Sequence, residues 1–237
     1  MLEIIVCSVE DAIAAARGGA NRLEIISHYE VGGLTPPLEM VREIAAKVSL
    51  PLRVMLRETE PFEVNDEAEI EKLCAQAKAF AEMKFDGLNV DGLVLGFLKN
   101  GWIDHMLLAQ VLAQAPNLKA TFHRAFEELA DPLQAIAELK SYHQVDRILT
   151  SGGASAWADK VESFTVWQRA ALPEIEMLVG GGTDAEAISR LQPAGIREFH
   201  VGRAVREEEK IDGPVQADRV VEFAGRINIA HATNSKV

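Results

Sequence analysis

"LEIIVCSVEDAIAAARGGANRLEIIS", residues 2–27, reads as a strand, a helix and a second strand. Its ends are short apolar runs rich in isoleucine and valine, while Val, Ala and Ile between them recur at helical spacing. The glycine pair at 18–19 suits a helix end that needs a left-handed residue, as does Ala-Gly at 194–195. Working outward, the same alternation continues through the chain. Strands are expected at 2–8, 22–27, 51–57, 92–98, 118–124, 145–151, 175–181 and 196–202, and a helical stretch follows each. Asp131-Pro132 and Thr35-Pro36 each place an N-cap before a proline at the first helical position, and "TDAE" at 183–186 reads as a capping box.

Eight βα units, each about 30 residues long, predict a single (β/α)8 barrel domain over 1–237, a fold that needs as few as about 200 residues. A doubly wound open sheet is the alternative, since strand order is invisible in one sequence. No linker divides the chain. The two Asp-Gly steps in "KFDGLNVDGLVLGF" (84–97) leave the start of the fourth strand open by several residues.

With 48% hydrophobic and 25% charged residues, the 237-residue chain has ordinary globular composition. Its formal charge of −12 and lack of a Lys/Arg cluster argue against nucleic acid and anionic membrane surfaces as partners. Two cysteines, Cys7 and Cys74, form neither a disulfide framework nor a CxxC motif. The start has no basic, cleavable leader, and no apolar run reaches a membrane span. These features predict a cytoplasmic protein. No early G-x-G-x-x-G occurs, so no nucleotide cofactor is expected. Trp157 and Trp167, read as exposed, leave room for a homo-oligomer packed through the helical layer.

In such barrels the working groups sit at the carboxyl ends of the strands. "LKATFHRAFEE" (118–128) places His123 and Arg124 there. Alternation allows Thr121 and His123 to face inward while Arg124 leans toward the rim or the helices. Arg57 ends the third strand, His28 follows the second, Ser151 ends the sixth, and His200 lies in the eighth. Glu3 and Glu24 are carboxylates inside strands, and each needs a partner. Arg53, Arg57 and Arg147 are the inward-capable arginines. Each group also has a plainer reading: His123 as a packed, hydrogen-bonded histidine, Arg57 and Arg124 as rim ion pairs, Glu3 as structural, and Glu24 as either.

"LVGGGTDAE" (178–186) and "FHVGRAVR" (199–206) follow the seventh and eighth strands, where many barrels seat phosphate on backbone amides. Gly181 and Gly182 with the helix after Thr183 form one half of such a seat, and Gly202 with Arg203 the other. "TSGGAS" (150–155), with Ser151 and Gly152, is a similar turn. The glycines read equally well as plain tight turns.

The segments "GGANRLEIISHYEVGGLTPPLEM" (18–40), "TFHRAF" (121–126), "RILTSGG" (147–153) and "REFH" (197–200) resemble the CutC copper-homeostasis family over nearly the whole chain. The resemblance implies a cytoplasmic (β/α)8 barrel associated with copper handling, with Cu(I) binding proposed for some members. Matching positions are Glu3, Glu24, Arg57, His123, Arg124, Ser151, Gly152 and His200. Departures are Ile5 and Ile26 where the family often has cysteines, Asn21 for an aspartate, Arg57-Glu58-Thr59 for Arg-Pro-Arg, and Gly202 for a serine.

Two functions follow. In the first, Cu(I), a soft ion, binds through Cys7 with Met55 or His123. In the second, a small anionic or phosphorylated metabolite undergoes isomerase- or lyase-like chemistry. Arg203 and the glycine turns then anchor it, Arg57 and Arg124 stabilise negative charge, and His123 or Glu24 moves a proton.

Overall fold

The computed structural model describes residues 1–83 and 90–234. Eight parallel strands form a closed ring in chain order: β1 (Leu2–Val6), β2 (Arg22–Ile25), β3 (Leu52–Met55), β4 (Val90–Leu95), β5 (Lys119–Phe122), β6 (Val145–Thr150), β7 (Glu176–Val179) and β8 (Glu198–Val201). β8 pairs back to β1 through Leu2↔Phe199 and Glu3↔His200, which closes the barrel and excludes the open sheet. Helices α1 (Val9–Arg17), α2 (Leu38–Ala45), α3 (Glu67–Ala81), α4 (His105–Gln114), α5 (Pro132–Leu139), α6 (Trp157–Ala171), α7 (Ala185–Leu191) and α8 (Ala217–Asn234) alternate with the strands. The first Asp-Gly step, at 86–87, lies outside the described residues.

Strand alternation divides the core in two. Outward residues such as Ile4, Val6, Leu23, Ile25, Leu52 and Val54 pack against the helices with no exposed surface. Each contributes about 1.5–3 kcal/mol of apolar burial. The inward set is mixed: Ile5, Ile26, Met55 and Val94 form a small apolar cluster, Leu149 and Leu178 add two more apolar side chains, and the remainder is largely polar.

The local chemistry of the helix ends follows the sequence in part. Ser8 caps α1 by accepting from the Asp11 amide at 3.1 Å, and Gly19 takes the left-handed conformation after it. Asp131 caps α5 ahead of Pro132, as expected. Thr183 does not cap α7. Its hydroxyl is buried and donates to the Val179 carbonyl at 3.0 Å, while Asp184 caps the helix by accepting from the Ala187 amide at 2.8 Å. Thr35 is likewise not a cap, since α2 begins at Leu38 with Pro37 in the cap position. The threonine instead ties two loops together, donating to the Arg57 carbonyl at 3.0 Å and accepting from its amide at 2.9 Å.

Three further expectations need correction. β5 ends at Phe122, and His123 opens a short 3-10 turn (Arg124–Glu128) in place of continuing the strand. The expected fourth strand runs on into a small antiparallel hairpin, Leu98–Lys99 against Trp102–Ile103. Trp157 and Trp167 are only half-exposed: Lys160 lies 4.1 Å over the Trp157 ring, and Trp167 packs edge-on against Phe126 and Phe164. Among the described residues no helix is long and apolar enough to cross a membrane.

Candidate active site at the barrel mouth

The lower lumen is a network of charge pairs. Arg22 donates to Glu3 and lies 3.6 Å from Glu198, which Arg147 grips at 2.6 and 3.0 Å. Arg53 forks onto Asp146 at 3.0 and 2.9 Å and reaches Asp91 at 3.1 Å. The partners of Glu3 are thus Arg22 and His200, not Arg53, Arg57 or Arg147. Arg22 shares its face of β2 with Glu24, a relation strand alternation makes readable in advance.

His200 carries the network upward. Its Nδ1 lies 2.7 Å from Glu3 Oε1 and its Nε2 lies 3.5 Å from Glu24 Oε2. Burial favours a neutral Glu3, but Arg22 and His200 outweigh it and hold the carboxyl well below its usual range. Burial also works against a charged His200, yet Glu24 and Glu3 together raise its pKa. Glu24 ends differently. Burial pushes its pKa up to about 7, an effect His200 offsets only in part. Its Oε1 has no hydrogen-bond partner among the described residues, and the residue lines a cavity of about 960 Å³ at the carboxyl ends of the strands.

His123 lies on the same wall, 3% exposed. Its Nδ1 accepts the Ala125 amide at 3.2 Å, so in the neutral ring the proton sits on Nε2, which has no partner among the described residues. Burial, reinforced by the Arg57 charge, pushes its pKa down to about 3. The ring stays neutral at physiological pH. Phe62 packs against it at 4.9 Å and stacks under the Arg57 guanidinium at 4.8 Å. Arg57 donates to the carbonyls of Thr59 at 2.8 Å and Glu60, and burial lowers its pKa.

Arg124 also lines the cavity, but its guanidinium forks onto Glu127 at 2.8 and 2.9 Å. Glu127 additionally accepts the Ser151 amide at 2.7 Å. That amide is therefore taken, and Ser151 and Gly152 lie off the cavity wall, with Gly152 pressed against Phe164. Gly181 and Gly182 line the wall in left-handed conformations, φ +73° and +98°, and the space beside Gly182 is open. At the start of α7 the Asp184 carboxylate already takes one of the free amides, that of Ala187. Gly202 is required for another reason: a Cβ there would lie 1.8 Å from the Tyr29 hydroxyl. Arg203 is exposed at the mouth and makes no ion pair with the described residues. His28 is exposed and faces Glu30 at 3.1 Å.

Sequence reasoning missed Tyr29, Phe62 and Glu127. Glu127 stands three residues after Arg124 in a helical turn, a spacing that signals their pairing. Nothing in the sequence marks Tyr29 or Phe62.

The soft donors differ in setting. Met55 and His123 line the cavity, and Cys7, though not on its wall, packs against the cluster that holds Met55. Burial pushes the Cys7 thiol up to about 11, and the Arg206 guanidinium sits 3.6 Å from its sulfur, where it would repel a bound cation. Met55 is packed among Ile5, Ile26 and Val94, and the Nδ1 of His123 is occupied. Among the described residues no three His, Cys, Asp or Glu side chains converge to hold a metal.

Known proteins add the lineage. The CutC family profile matches residues 1–205. A human protein named copper homeostasis protein cutC homolog is 34% identical over 202 residues, covering 84% of this chain and 72% of the human protein. A family protein CutC of Treponema denticola is 32% identical over 210 residues, covering 88% and 83%. The crystal structure of a putative copper homeostasis protein CutC from Streptococcus agalactiae superposes with a TM-score of 0.74 at 25% identity, covering 85% of this chain and 97% of the other. A Ruminococcus gnavus sialic acid aldolase, 12% identical with a TM-score of 0.63, shares the fold alone. With its profile match and curated relatives in agreement, this chain belongs to the CutC family.

Proposed function

We propose that the barrel mouth is an active site for cofactor-independent acid–base chemistry on a small anionic metabolite, with Glu24 moving the proton. The carrying observation is the Glu24 carboxyl, buried on the wall of a large cavity with one oxygen unpartnered among the described residues, where burial pushes its pKa up to about 7. A general acid or base works best when its pKa lies near the working pH. Arg203 supplies a charge at the entrance that no described residue pairs, and the open face at Gly182 lets an anion approach the backbone. His123 supplies a neutral hydrogen-bond donor. Arg57 is braced against carbonyls, so it adds field while its neighbours hold it in place.

Thermal-shift screening against phosphorylated and carboxylated metabolites tests this reading. A ligand should raise the melting temperature of the wild type, and Arg203→Ala should weaken the effect about tenfold in concentration. Uniform indifference to such anions contradicts it.

The names of the relatives bring a second reading, Cu(I) as cargo on Cys7 with Met55 or His123. Its support here is that Met55 and His123 share the cavity wall. Anaerobic Cu(I) titration against a competing chelator decides it: tight stoichiometric uptake abolished by Cys7→Ser supports copper as cargo, and weak uptake indifferent to that change refutes it.

A further inference from the structure

We propose that the proton moved in this cavity lies on a carbon next to a carbonyl, so that the substrate is a small anionic keto compound and the step is enolisation. The inference rests on the acid–base reading above and adds its substrate class.

Three observations carry it. First, the free ring atom of His123 is an N–H donor on a nitrogen that cannot act as a base while Nδ1 holds the Ala125 amide. Such a donor is of use to an oxygen that becomes negative during the reaction. Second, Glu24 on β2 and His123 just after β5 stand three strands apart in the ring of eight and line the same cavity, so the two side chains approach it from different sectors of the barrel. A molecule bound between them meets a base on one side and an oxyanion donor on the other. Third, among the described residues the wall carries no lysine, serine or cysteine, so Schiff-base and covalent acyl chemistry lack their nucleophile. Its hydroxyls are also spent or inert: Thr183 donates to the Val179 carbonyl, and burial pushes the Tyr29 phenol up to about 12. A carboxylate near neutrality opposite a neutral imidazole is a pairing suited to enolising a carbonyl compound.

The step balances without a co-reactant. The Glu24 carboxylate takes the proton from the carbon beside the carbonyl, and the C–H electron pair becomes the new C=C bond. The carbonyl π pair moves onto oxygen, where the His123 Nε2–H bonds to it without transferring its proton. Return of a proton from Glu24 to the same face of that carbon regenerates the carbonyl, with exchange of the original hydrogen for one from solvent at that centre.

Isothermal calorimetry with planar enolate mimics tests the inference. Oxalate and phosphoglycolohydroxamate are compared with malonate and glycerol 3-phosphate, which match their charge but not their shape. At about pH 6 at least one mimic should bind about 100-fold tighter than its matched anion, as analogues of a reaction's high-energy state do. Because the mimic brings the negative charge that the enolate would carry, it should prefer protonated Glu24. Its affinity should fall as pH rises through about 7, and Glu24→Gln should remove that fall. His123→Leu should cost about tenfold or more, with His123→Gln, which keeps an N–H donor, recovering part of the loss. Circular dichroism verifies that each variant is folded. Equal binding of mimics and matched anions overturns enolisation and leaves the anion-site reading standing. Failure of all four to bind at millimolar concentration overturns both.

Discussion

The two ends of the lumen treat charge in opposite ways. At the bottom, Glu3, Arg22, Glu198, Arg147, Arg53 and Asp146 each face an opposite charge within 3.6 Å. At the mouth, Glu24 has only His200 at 3.5 Å, His123 keeps a bare N–H, and Arg203 stands without a counter-charge among the described residues. Both ends are costly to bury. The lower end recovers most of that cost within the protein, with Arg22 Nη2 and Asp91 Oδ1 left without hydrogen bonds among the described residues, whereas on the proposed reading the upper end leaves it to a ligand.

Breaking the lower end should have the largest effect. Arg22→Ala leaves Glu3 and Glu198 short of a cation and should cost about 3–5 kcal/mol in urea unfolding. The upper end should respond with the opposite sign. The folded-state pKa of Glu24 is raised to about 7 from 4.5, so its contribution to stability is present at low pH and is lost as pH rises through that window. Glu24→Gln should therefore gain about 2–3 kcal/mol relative to the wild type on going from pH 5 to pH 8. An equal difference at both pH values would dissolve the contrast.

His123 sharpens the comparison at acid pH. Its pKa is depressed to about 3 from 6.5, so the unfolded chain binds the proton first and stability is lost as pH falls below 6.5. His123→Gln should reduce the loss between pH 6.5 and pH 5 by about 2 kcal/mol, read from the same unfolding curves. Arg203→Ala should be the mildest change, within about 0.5 kcal/mol of wild type in stability while weakening anion binding.

How much of this was legible beforehand depends on distance along the chain. β1, α1 and β2 follow from local pattern alone, and so do the other seven units, because strand and helix periods differ. The hairpin at 98–103 carried its own signal, Asn100-Gly101, with φ of +54° and +76°, a pair favoured in two-residue turns. The apolar run continues into Phe97 and Leu98, which masks that signal and makes the segment read as part of the fourth strand. Glu24, Arg57 and His123 were readable as rim or lumen groups from their place on the strands. Their roles were not. Glu3 meets His200 across 197 positions, a pairing that exists only because the ring closes. Which oxygen or nitrogen is left unpartnered depends on that closure too, as does the placing of Cys7 beside Arg206.

The central claim is that one buried carboxyl at the mouth is held near neutrality. Site-resolved carboxyl titration by carbon-13 NMR, on wild type and Glu24→Gln, measures it directly. The account predicts one glutamate titrating near 7 that disappears in the variant. A Glu24 that titrates in the ordinary carboxylate range near 4.5, with no resonance lost near neutrality, would contradict it.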